Sequence, residues 1–251
     1  MPKFFIKADQ VNNNKVYIIG EDVNHIKNVL RMKIGDTFNV CNETNSENYV
    51  VEISNLNNEK IECEIIERLE NVAESNVKVH IYQGLPKADK MELIIQKSVE
   101  LGVDKITPIE MKRCVVKLDG KDKVKKVERW QKISEVAAKQ CGRDIIPQIC
   151  SVKNVKEMCN EFNQYDVVVL CYENEKQTFL KDILNSININ NSNLKIAIIV
   201  GPEGGIDETE VDFMKQNGAK VVSLGSRILR TETVSLYLMS IIMYEFERKD
   251  L

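Results

Sequence analysis

Two loops in the last third of the 251-residue chain hold residue types that could do chemistry together. The first is Gly201-Pro202-Glu203-Gly204-Gly205, and the second runs Gly225-Ser226-Arg227-Ile228-Leu229-Arg230-Thr231-Glu232-Thr233. Glycines let a ligand approach the backbone closely, and Glu203 adds one carboxylate. In the second loop a cation, a carboxylate and two hydroxyls could bind a developing anion and handle a proton. Helix capping by Thr231 or Thr233, with Glu232 favouring the positive helix end, is sufficient for those three residues. It does not explain Arg230. A cation at a helix N-terminus opposes the dipole, so Arg230 points to an anionic or carbonyl-bearing ligand, or to Glu203 or Glu232 as its partner. Neither a Gly-Lys-Ser/Thr phosphate loop nor Gly-x-Gly-x-x-Gly is present at these loops, which removes the main support for nucleoside triphosphate and NAD readings.

Each loop follows an apolar run, Ile196–Val200 and Val221–Leu224, that reads as a strand buried on both faces. Similar runs at Val77–Tyr82, Lys105–Ile109 and Val167–Cys171 alternate with helical patterns. One helix carries Met91, Ile94, Ile95 and Val99 and stops at Gly102. A second carries Val127, Trp130, Ile133, Ala137 and Cys141 and stops at Gly142, both glycines being placed as C-terminal caps. Asp207 and Glu210 have capping-box spacing for a helix reaching about Asn217, and an apolar helix is expected from about Val234 to Phe246. The pattern predicts an α/β fold with a mainly parallel sheet, whose carboxyl edge is where ligands bind. Residues 1–70 differ. Short strands at Phe4–Ile6, Val16–Ile19, Phe38–Cys41, Tyr49–Ile53 and Ile61–Ile66 suggest a small β-barrel, with one helix from Glu21 to Leu30. Glu70–Asn76 reads as a linker and Asn188–Asn193 as a loop. The domains are therefore 1–72 and 73–251.

Hydrophobic residues make up 43% of the chain, enough to fill such cores. The start, Met1-Pro2-Lys3-Phe4-Phe5-Ile6, lacks the apolar core of a signal peptide, and no apolar run has membrane-spanning length, so a cytoplasmic location is expected. Seven scattered cysteines without a Cys-x-x-Cys pair, beside only His25 and His80, indicate neither a metal site nor disulfides. Residues 73–150 carry 16 basic and 11 acidic side chains, against 8 and 12 before them and 11 and 15 after. Such a basic middle suits a polyanion, although charge alone favours a solvated helix face over it.

The segments Ile199–Gly205 and Leu224–Thr233 resemble the SPOUT class of knotted methyltransferases, and specifically the RsmE family that methylates uridine N3 in 16S ribosomal RNA. Similarity extends to His25–Leu30 with Arg31-Met32 and Gly35-Asp36, Lys90-Met91-Glu92, Gln96–Gly102, Thr107-Pro108, Arg113-Cys114, Trp130–Ile133 and Glu135–Arg143. Ser226 departs from an expected proline. The resemblance implies a PUA-like RNA-binding barrel at 1–72 and a SPOUT domain at 73–251 whose last helix threads a trefoil knot, which general topology rules would not propose. It implies S-adenosylmethionine as cofactor, held by Leu170, Gly201, Pro202, Glu203, Gly204, Gly205, Leu224, Gly225, Leu229, Thr231 and Thr233. A homodimer with the C-terminal helix near the partner is implied, with no metal and no membrane association.

On this reading Arg230 stabilises the uridine anion, and Glu232 accepts the N3 proton or positions Arg230, with Glu203 as the alternative acceptor. Arg31, Lys87, Lys90, Lys97, Arg113, Lys117 and Arg143 are the expected contacts to 16S ribosomal RNA or the small subunit. Arg113 and Arg143 lead that group because they flank element ends. N3 is a Watson–Crick atom, so the target base must be flipped or presented unpaired. The rivals are another SPOUT enzyme acting on ribose or transfer RNA, disfavoured by the barrel and Gln140–Arg143, and a non-catalytic assembly factor.

Overall fold

The computed structural model describes residues 3–70, 73–187 and 193–247. The boundary expected near residue 72 and most of the Asn188–Asn193 loop lie outside the described residues. Two compact units divide at Glu74/Ser75, with Ala138–Ile146 joining the first.

The first unit contains β1 (Lys3–Ile6), β2 (Val11–Asn12), β3 (Lys15–Ile19), α1 (Glu21–Asn24), β4 (Thr37–Asn42), β5 (Asn48–Leu56) and β6 (Lys60–Leu69). Its mixed sheet has the order β1-β4-β5-β6-β3-β2, and only the β1–β4 pair is parallel. Alternating side chains such as Val16, Ile18, Phe38, Val40, Val51, Ile53 and Ile61 fill one core, as a half-barrel with one wet face requires. The expected Glu21–Leu30 helix is a short α-helix continued by a π-helical turn over His25–Val29, with Leu30 N donating to His25 O at 2.9 Å. That wider turn follows α1, and Val23 and Ile26 both enter the core.

The expected linker is not slack at its C-terminal end. Glu74 accepts hydrogen bonds from Arg143 Nε at 3.1 Å, Asp144 N at 2.9 Å and Ile145 N at 3.1 Å. Asp144, almost fully buried, in turn accepts from Asn48 Nδ2 at 2.8 Å and Ala73 N at 3.2 Å and pairs with Lys3.

The second unit is the α/β body: β7 (Lys78–Gly84), α2 (Lys90–Glu100), β8 (Lys105–Glu110), α3 (Gly120–Cys141), β9 (Gln148–Ile149), β10 (Lys153–Asn154), α4 (Val155–Cys159), β11 (Val167–Cys171), α5 (Leu180–Asn185), β12 (Lys195–Val200), α6 (Glu208–Gln216), β13 (Lys220–Val222) and α7 (Thr231–Phe246). The last residues of α3 belong to the first unit. The sheet is parallel throughout, in the order β10-β8-β7-β12-β11-β13, with β9 on β8. Its central strands are continuous apolar runs because helices cover both faces; Ile196, Ala197, Ile198 and Ile199 have no solvent exposure.

Both glycine caps form. Val103 N donates to Ser98 O and Arg143 N to Ala138 O, closing α2 and α3 around left-handed Gly102 and Gly142. Asp207 caps α6 by accepting from Thr209 N, but no capping box forms, because Glu210 turns away to accept from Lys112 N at 3.0 Å. A buried polar network spans the sheet. His80 Nε2 and Thr107 Oγ1 are 2.7 Å apart, His80 Nδ1 meets Tyr165 Oη, and Tyr82 Oη donates to Glu161 Oε2 at 2.8 Å.

Candidate active site

The carboxyl ends of three adjacent parallel strands converge. Cys171–Glu173 after β11, Gly201–Ile206 after β12 and Ser223–Arg230 after β13 line one cavity of about 570 Å³, joined by Lys90 from the first turn of α2 and by Thr231 and Val234 of α7. That volume suits one small organic ligand.

The loops hold their shape through close backbone approach. A side chain on Gly84 would put Cβ 2.7 Å from Pro202 Cδ. Gly205 has φ +70, a backbone conformation strained for any residue with a Cβ, and a Cβ there would also displace the Glu173 carboxylate. Thr231 is not the helix cap. The cap position is Arg230, whose side chain makes no capping bond, while Thr231 Oγ1 donates to Gly201 O at 2.7 Å and accepts from Gln83 Nε2 at 2.9 Å. Gln83 Oε1 accepts from Ser235 Oγ at 2.7 Å, so one fully buried amide ties β7 to the start of α7.

The charges divide unequally. Arg230 is exposed on the cavity wall and forms no ion pair among the described residues. Neither Glu203 nor Glu232 is its partner, because both turn to Lys90, at 3.0 Å and 3.4 Å from Nζ. Glu203 also accepts from Lys87 N at 3.0 Å. Burial pushes its carboxyl up, but the hydrogen bonds from Lys90 and from the backbone of Glu203 and Lys87 outweigh this and hold it below the usual range. Glu232 does not line the cavity; its buried Oε2 is the atom facing Lys90, and it takes no other polar contact among the described residues. Ile228, 87% exposed, projects an apolar side chain at the rim.

Of the residues expected at the cofactor, Gly201, Pro202, Glu203, Gly204, Gly205, Leu224, Gly225, Leu229 and Thr231 line this cavity. Leu170 and Thr233 do not. Leu170 is buried inside β11 one residue before the lining begins, and Thr233 is exposed on α7, well over a quarter turn round the helix from Thr231. Of the basic residues expected to meet RNA, only Lys90 lines the cavity; Lys87 is exposed beside it, and Lys97 pairs with Glu100 at 2.8 Å. Arg113 lies 4.0 Å from Asp207 and Lys117 is exposed. Arg31, at φ 56, and Arg143 belong to the first unit. Arg143 is only 6% exposed and its guanidinium is taken up by Glu74, so it holds its unit together instead of offering a charge to solvent. Sequence reasoning missed Gln83, Cys171, Tyr172, Glu173 and Ser223. Applying the strand-end rule to β11, as to the other two strands, would have found Tyr172 and Glu173.

This three-loop site sits within a matched domain. The RNA methyltransferase domain family matches residues 73–243, and the RNA methyltransferase PUA domain family matches residues 18–66. The chain belongs to the RNA methyltransferases. Its relatives include ribosomal RNA small subunit methyltransferase E of Bacillus subtilis, 37% identical over 98% of each chain. The protein of the same name from Mesomycoplasma hyopneumoniae is 34% identical over 96% of this chain and 98% of its own. The fold of this methyltransferase is similar to ribosomal RNA small subunit methyltransferase E from Neisseria gonorrhoeae solved bound to S-adenosyl methionine, with TM-score 0.82, 28% identity and 97% of each chain covered. A Legionella pneumophila methyltransferase solved with the bound cofactor SAM gives TM-score 0.84, 28% identity and 96% coverage of each chain. The half-barrel is therefore PUA-like and the parallel body is of the SPOUT α/β type.

Proposed function

We propose that this enzyme methylates N3 of a specific uridine in 16S ribosomal RNA with S-adenosylmethionine as methyl donor. One observation carries the reading: an uncommitted cation, Arg230, stands on the wall of a cavity built from three backbone-rich loops, beside two carboxylates and Lys90. The cavity fits the cofactor in size and in its wealth of backbone polar groups, with Gly201–Gly205, Leu224, Gly225 and Leu229 as its cradle. Thr231 supports that cradle through Gly201. When bound, the cofactor supplies a methyl carbon on a positively charged sulfur that leaves as a neutral thioether.

Uracil N3 has no free lone pair until its proton departs, and the resulting charge spreads to the flanking carbonyl oxygens. Arg230, free of internal partners, stabilises that charge. The N3–H bond breaks toward a carboxylate, and Glu232, held by one ionic contact at 3.4 Å, is better suited than Glu203, which accepts from Lys87 N as well as pairing with Lys90. Alignment of nucleophile and methyl carbon by the loops supplies much of the remaining rate.

Residues 1–72 form the RNA-binding domain and 73–251 the catalytic domain, with α7 threaded through a knot. Arg31, Lys87, Lys97, Arg113 and Lys117 contact RNA phosphates. The enzyme acts as a homodimer in the cytoplasm, and Tyr237, 42% exposed, and Tyr244, 89% exposed, are the aromatic contacts α7 offers a second copy. Mass spectrometry of 16S ribosomal RNA from cells lacking the gene tests the reading. One N3-methyluridine disappears; its retention refutes the assignment.

A further inference from the structure

Lys90 occupies an expensive position. It is the first residue of α2, where the helix dipole disfavours a cation, so its placement needs compensation. Two carboxylates from different elements provide it: Glu203 of the loop after β12 at 3.0 Å, and Glu232 of the first turn of α7 at 3.4 Å.

The two acids are not equivalent. Glu203 accepts from Lys87 N at 3.0 Å and 3.3 Å as well as from Lys90, so it is anchored on both sides. Glu232 meets the cavity wall only at Lys90, whose Nζ lies 3.4 Å from its buried Oε2, a long ionic contact and its sole charged partner among the described residues. A carboxylate held by one long ionic contact keeps acceptor capacity on its other oxygen, which a donor such as uridine N3–H can fill.

We propose that Lys90 is a positioning residue for proton removal: held by Glu203, it fixes Glu232 as the acceptor of the uridine N3 proton, and it is not a phosphate contact. The chain of contacts runs Lys87 backbone, Glu203, Lys90, Glu232, with Arg230 left free beside it for the anion. In the step itself the proton moves from N3 to a Glu232 oxygen while the N3 electron pair stays on the base for attack. Lys90 loses and gains nothing. This inference rests on the uridine-N3 reading above.

The test uses the full-length enzyme and small ribosomal subunits isolated from cells lacking it, with Lys90→Met, Lys90→Arg, Glu232→Gln and the Lys90→Met/Glu232→Gln double variant. Lys90→Met is expected to lower kcat at least tenfold, with the subunit KM and the cofactor Kd each within about twofold of wild type. Lys90→Arg, able to bridge both acids, is expected to restore kcat to within about threefold of wild type. The double variant should be no slower than Glu232→Gln alone, because both changes break one chain of contacts. A wild-type kcat in Lys90→Met with a raised KM and a shallower salt dependence overturns the proposal in favour of phosphate contact. Additive losses in the double variant, or no recovery in Lys90→Arg, overturn it as well. If the wild-type enzyme itself places no methyl group on N3, the underlying functional reading fails instead, a result distinct from all of these.

Discussion

Shifting the pH from 7 to 5 should destabilise the α/β unit through one residue, His80. Its imidazole is 2% exposed, with Thr107 Oγ1 at 2.7 Å on one nitrogen and Tyr165 Oη on the other. Burial, then the nearby Lys105 and Lys153 ammonium groups, push its pKa from 6.5 down to about 2. The folded protein therefore keeps His80 neutral throughout this window, whereas the unfolded chain takes up a proton near the ordinary value. Because the unfolded state binds more protons, stability rises with pH and is lost as pH falls below about 6.5, by ~1.4 kcal/mol per pH unit.

Integrated from pH 7 to pH 5, the loss from this group is about 2 kcal/mol, and it requires only that the folded pKa lie well below 5. For a domain of this size that corresponds to a fall in Tm of roughly 4–8 °C. Trp130 is the only tryptophan, is buried, and lies in the α/β unit, so its fluorescence in urea reports this transition. His80→Gln keeps polar contacts but cannot titrate. Its absolute stability is lower, yet its loss between the two pH values should be about 2 kcal/mol smaller than that of wild type. Equal losses in the two proteins, within about 0.5 kcal/mol, would refute the assignment of the pH dependence to a buried neutral imidazole.

Arg230→Ala should reduce kcat about 10²–10³-fold with cofactor Kd and Tm unchanged, since the side chain is exposed and unpaired; tritium transfer to small subunits and calorimetry measure these, and full activity would remove Arg230 from the chemistry. Gly205→Ala, at φ +70 against Glu173, should weaken cofactor binding at least tenfold by calorimetric titration while the fold persists. Asp144→Ala should cost the first unit ~3–5 kcal/mol, because it removes the buried carboxylate that pairs with Lys3 and accepts from Asn48 Nδ2, and cofactor affinity should not change. Gln83→Leu should leave Thr231 and Ser235 without their partner and weaken cofactor binding through the Gly201 loop, read by the same titration; unchanged affinity would mean the loop holds its shape without Gln83.

Much of the architecture was legible because it is encoded within a few residues. Continuous apolar runs marked the strands of the parallel sheet, and alternation marked the half-barrel. Gly102 and Gly142 ended their helices where local hydrogen bonds required a left-handed residue. Local spacing failed where a distant group offered a better partner. Glu210 had the position for a capping box, but Lys112 N took its carboxylate.

The two loops and their chemistry were visible in the sequence as residue types out of keeping with plain turns, and their resemblance to a methyltransferase family named the reaction. Which carboxylate faces which cation was not visible. That depends on β12 lying between β7 and β11, an order of strands that no local pattern contains. It brings the end of β7 and the start of α2 against the two loops, so that Gln83 grips Thr231 and Lys90 takes both Glu203 and Glu232. Sequence alone determined the elements and the reactive inventory, because hydrogen bonds and periodic burial act over short stretches of chain. Only the tertiary structure decided the pairing of charges, because opposite charges choose partners by distance in space, and Arg230 was left free by that choice.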